Sequence, residues 1–184
     1  MLDDIVKSVT SAVVAAIRGV SEVLTALRTV VKDQVTGTLA DVSDIATGGL
    51  DAIAAVVSGA IIGAKEVGAS MTVAAEGIVS GVIDAVAGTA ISGVSAISKT
   101  AEAVIDATHK AGESLEDAAV GVVKGAVDGA AKLGVSTEEA VTSAVRGVLK
   151  GADAIGSDAG TSVRTALTSA ASLPKDLVES AIKG

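Results

Sequence analysis

The chain has 184 residues, lacks Phe, Tyr, Trp and Cys altogether, and carries 14 basic against 22 acidic side chains for a formal net charge of −8. Without cysteine there can be no disulfide, no thiol catalysis and no cysteine zinc site. Without aromatic rings the stacking platforms of RNA and single-stranded DNA binders are absent. The acidic balance disfavours phosphate-driven nucleic-acid binding, and an apolar content of 49% argues against disorder.

The predicted elements are helical throughout, and the reason is a repeat of eleven residues. Grouped by residue number modulo eleven, the columns that begin at Met1, Leu2, Ile5 and Val9 hold 67 residues and no charge. The columns of Asp3, Lys7, Thr10 and Ser11 hold 30 of the 36 charged residues. Eleven residues over three turns advance about 98° per residue, which gathers the charge-free columns into one arc and the charged columns into the opposite one. A strand period of two would scramble both sets. The columns of Asp4 and Ser8 flank the apolar arc and are almost entirely Gly, Ala and Ser. They produce small-xxx-small pairs at Gly59–Gly63, Gly125–Gly129 and Gly147–Gly151, which let helix backbones approach closely.

From the N-terminus, the stretch 1–20 has no basic region ahead of an uninterrupted apolar core, so it does not read as a secretory signal and a cytoplasmic location is the default expectation. The phase then holds to residue 171, which predicts one continuous repeat region over 1–171 built of long helices. Candidate turns fall near 36–38, 112–114 and 134–136, with weaker signals at 47–49 and 156–160. The strongest are Gly112–Asp117 and Gly134–Glu139, where a Gly stop precedes a Ser-x-x-acid start. The charge-free runs Ala52–Ala64 and Ala85–Ser98 have 13 and 14 residues, short of the roughly 18–20 that span a bilayer. The window Gly77–Ser98, broken only by Asp84, is marginal. Pro174, with Ser172 as a plausible N-cap, predicts a short last helix within 172–184.

Each of the 21 Gly costs a helix about 1 kcal/mol relative to Ala. The charge-free columns hold 36 Val, Ile, Leu or Met, each contributing about 1.5–3 kcal/mol when buried. Burial wins, but only if something covers the stripe. The chain must fold back on itself, assemble with copies, or lie on an apolar surface.

Val9–Val20 and similar stretches resemble the right-handed coiled coils built from eleven-residue, or hendecad, repeats. That resemblance implies an all-α architecture of long amphipathic helices packed as a right-handed coiled coil or multi-helix bundle. Val123–Lys132, with its Val, Gly, Ala and Lys vocabulary, resembles the amphipathic repeats of perilipins and synucleins, which implies a lipid-coating role.

Two functions therefore compete. The first is a non-catalytic structural protein that self-assembles through its apolar and small-residue face into a homomeric bundle, sheath or filament. Its interface is expected at Val9, Val13, Val20, Leu24, Val31, Val42, Ile53, Val57, Gly59 and Gly63, continuing through Val79, Val82, Val86, Ile97, Val123, Gly125, Gly129, Val145, Gly147 and Gly151. The second lays the helix on a lipid surface. An acidic polar face and the lack of aromatic anchors count against it, and the small-residue ridge favours a helix as the partner. His109 between Asp106 and Glu113 has the spacing of a metal or acid–base cluster, but the same pattern is that of a solvated helix face. No catalytic residue, cofactor, metal or small-molecule substrate is expected, and the expected partners are copies of the chain.

Overall fold

A computed structural model describes residues 2–18, 23–40 and 48–184. Nine helices occur among the described residues: α1 (Leu2–Arg18), α2 (Val23–Ala40), α3 (Gly48–Glu66), α4 (Met71–Val86), α5 (Gly93–Ala111), α6 (Leu115–Leu133), α7 (Thr137–Ile155), α8 (Ser157–Ser169) and α9 (Lys175–Lys183). The described residues contain no strand. The all-helical expectation holds, whereas the long helices do not form: none of the nine exceeds 19 residues. The chain turns back repeatedly where an unbroken phase predicted continuity.

The physical reason lies in the turns. Helix α5 ends at Gly112, whose φ of 73° is left-handed, and the Glu113 N–H reaches back to the Thr108 carbonyl at 3.1 Å. This is a Schellman stop. Ser114 then accepts a hydrogen bond from the Asp117 N–H at 3.1 Å and starts α6. The sequence repeats at Gly134 (φ 68°) and Ser136, where the Glu139 carboxylate also accepts from the Ser136 N–H at 2.9 Å to complete a capping box. Helices α4 to α7 begin at residues 71, 93, 115 and 137, a constant interval of 22. A 19-residue helix followed by a three-residue turn, as in α5 and α6, spans two eleven-residue periods, so the phase passes through each turn undisturbed.

Other turn signals fare differently. Thr36–Thr38 lies inside α2, and the Thr38 hydroxyl donates to the Gln34 carbonyl at 2.7 Å, an ordinary helix-interior bond. Gly48 opens α3, Thr47 lies outside the described residues, and Gly156 separates α7 from α8. Helix α9 starts directly after Pro174.

From α1 to α7 each helix packs most extensively on the helix two places away, and more narrowly on its neighbours in sequence. The result is two layers, α1-α3-α5-α7-α9 and α2-α4-α6-α8, with the core between and within them. Val9, Ile53, Val57, Ile78, Val104, Val123 and Val148 are among the fully buried side chains. Helix α3 is long and apolar enough to cross a membrane by length and composition, yet 61% of that window is buried against the rest of the chain. The marginal window Gly77–Ser98 is broken, since α4 stops at Val86 and α5 starts at Gly93.

Candidate functional site

The feature that organises the molecule is the small-residue ridge. Helices two places apart run parallel, because their contacts advance together: Gly59 sits on Val9 and Gly63 on Val13, while Gly125 sits on Val79 and Gly129 on Ile83. A Cβ placed on Gly59 would lie 2.6 Å from the Val6 carbonyl oxygen, and one on Gly125 would lie 2.8 Å from that of Glu76. Gly81 meets the Arg28 carbonyl and Val31 in the same way, Gly121 meets Thr72 and Ala75, and Gly147 meets Ser98 and Ala101. The small residues of α3, α4, α6 and α7 thus receive the backbone carbonyls and the Ala, Val or Ile side chains of the helix two places earlier.

This places the residues singled out for assembly. Val9, Val13, Val31, Ile53, Val57, Val79, Val82, Val86, Ile97, Val123 and Val145 are buried inside the chain itself. Gly59, Gly63, Gly125, Gly129, Gly147 and Gly151 are buried with them, and Leu24 is half-buried. Val20 and Val42 lie outside the described residues. Of the three ways to cover the stripe, the chain uses the first and folds back on itself.

Charge is arranged across the same contacts. Lys124 pairs with Glu76 at 2.8 Å, Lys132 with Asp84 at 2.7 Å and Lys150 with Glu102 at 3.0 Å, each linking helices two places apart at a separation of 48 residues. Asp84 also accepts from Arg28 at 2.6 Å, so one carboxylate ties α2, α4 and α6 together. Burial pushes the Asp84 carboxyl up, but hydrogen bonds and charge from Arg28 and Lys132 outweigh it and hold the group below the usual carboxylate value. Lys65, at the end of α3, donates to the Ala111 carbonyl at the C-terminus of α5 and lies 3.9 Å from Glu113. Sequence reasoning missed this set. The signal was present as opposite charges recurring 48 positions apart, one helical turn beyond two 22-residue units.

His109 is exposed, and the carboxylates beside it are engaged elsewhere: Asp106 pairs with Lys110 at 2.7 Å and Glu113 lies 3.9 Å from Lys65. Among the described residues no group of three His, Asp or Glu side chains is placed to hold a metal ion.

Two surface grooves lie along helices of the odd-numbered layer. One, of about 590 Å³, runs between α1 and α3 past Val6, Thr10, Val14 and Ile62. The other, of about 410 Å³, runs between α5 and α7 and is lined by three cations, three serine hydroxyls, Glu102 and Val94. No protein-family model matches the chain, and no curated protein matches it.

Proposed function

We propose that this chain is a non-catalytic structural protein, a helical building block that pairs with a second copy at the open edge formed by α1 and α2. The hendecad resemblance enters in modified form, with two eleven-residue periods making one helix and its turn. The observation that carries the reading is Gly37. In the same column of the repeat, Gly59, Gly81, Gly125 and Gly147 each have an earlier helix pressed against them, whereas Gly37 has open space. Ser8 and Ala15 on α1 are exposed likewise. The packing that runs through the molecule is continuous with this edge. At the other end α8 turns exposed Thr161, Ser162, Thr165, Thr168 and Ser169 outward, a polar cap of the kind that terminates repeat stacks.

A two-fold pairing at this edge would be self-complementary, each copy presenting the Gly37 face of α2 to the other. Sedimentation equilibrium over a dilution series tests this. The mass should rise from one chain toward two with concentration, and Gly37→Leu should hold it at one chain with unchanged helicity. A single-chain mass for the wild type at every concentration would refute the reading. The lipid-coating alternative requires the buried stripe to leave the interior, so flotation with neutral liposomes would favour it instead.

A further inference from the structure

We propose that the groove between α5 and α7 binds a phosphate group, free or carried by a small organic ester. Close approach of the two helices at Gly147, whose missing side chain accommodates the Ser98 carbonyl and Ala101, forms the groove beside it. Three cations line it, Lys99, Arg146 and Lys150, with Glu102 among them and Asp51 beside Lys99, in a chain whose overall charge is −8. Lys150 is held by Glu102 at 3.0 Å and Lys99 lies 3.9 Å from Asp51. Arg146 has no ion pair among the described residues, although Arg28 and Arg164 are both paired. The second, independent observation is Ser143. It is only 6% exposed, it lines this groove, and its hydroxyl makes no hydrogen bond within the described residues.

A forked guanidinium with a free hydroxyl three residues before it on the same helix face offers directed donors to an oxyanion. Ser95 and Ser98 on α5 supply further hydroxyls across the groove. With Lys99 and Lys150 each matched by a carboxylate, the unmatched positive charge rests on Arg146, and a volume of about 410 Å³ leaves room for an ester substituent beyond the phosphate. The proposal is independent of pairing at the α1–α2 edge.

The test is a titration followed by amide and arginine side-chain NMR at constant ionic strength, using inorganic phosphate, glycerol phosphate and acetate. Saturable shifts centred on Ser98, Ser143 and Arg146 with either phosphate support the proposal, and the tighter of the two identifies whether the group is free or esterified. Arg146→Ala should weaken binding about ten- to a hundredfold and Ser143→Ala about three- to tenfold. Glu102→Gln should tighten binding by removing a like charge, an effect that a purely structural role for these residues would not produce. Shifts that never saturate, that survive Arg146→Ala, or that acetate reproduces equally would overturn it.

Discussion

Gly37 and Gly125 occupy the same column of the repeat and have opposite surroundings, so the same substitution should have opposite effects. At Gly37 a methyl group meets nothing within 4 Å, and Gly37→Ala should stabilise the monomer by up to about 1 kcal/mol through helix propensity. At Gly125 the methyl would press on the Glu76 carbonyl and Val79. Gly125→Ala should cost about 1–3 kcal/mol by overpacking. Chemical denaturation of the two variants checks both signs, and a gain at Gly125 would show that the ridge is looser than described. Thr100 and Thr108 present a second contrast, being fully buried hydroxyls with no hydrogen-bond partner. Thr108→Val keeps the shape and removes an unsatisfied donor, so it should raise stability by about 1 kcal/mol, read as a higher denaturant midpoint.

At the scale of the element, α5, α6 and α7 start at serine N-caps, and α2, α4, α5, α6 and α7 are tied sideways by charge. Ser114→Ala removes the acceptor for the Asp117 N–H and should cost about 1 kcal/mol. Asp84 has the larger reach, since it holds α2 and α6 to α4. Its folded-state pKa is depressed, so its contribution is present above the unfolded-state value and is lost as the pH falls through the folded-state value. Asp84→Asn should therefore lower stability at neutral pH by about 1–2 kcal/mol, discounted for the partly exposed cations. It should also flatten the loss of stability on acidification. Thermal melts of both proteins between neutral and acid pH would expose the error if the two curves ran parallel. These caps were partly legible in advance. Gly112–Ser114 and Gly134–Ser136 read as stops and starts because the residues that make left-handed caps and N-caps are few. Gly68 (φ 70°) and Gly88 (φ 80°) perform the same left-handed turn, and Gly68 even shares the repeat column of Gly112 and Gly134, but neither is followed by a Ser-x-x-acid start that would mark it as a stop.

For the whole molecule, the apolar arc was legible because charge is excluded from it without exception, and its interior fate follows from the size of the stripe. What covers it was not legible. A helix and turn that together span 22 residues leave an eleven-residue phase unbroken, so the pattern is the same for a straight rod and for a chain folded back at every second period. The discriminating signal sat inside one column, where Ser70, Ser92, Ser114 and Ser136 recur every 22 residues as N-caps while Gly59, Gly81, Gly125 and Gly147 fall at helix contacts. Read as one class of small residue, the two roles merge. Charge pairs 48 residues apart record the same folding, since only parallel helices two places apart bring them together. Small-angle X-ray scattering extrapolated to infinite dilution tests most directly whether a single chain buries its own stripe. The account predicts the mass of one chain with a radius of gyration below about 20 Å, in keeping with a folded domain of this length; a single-chain particle approaching the roughly 255 Å of one continuous helix would contradict it.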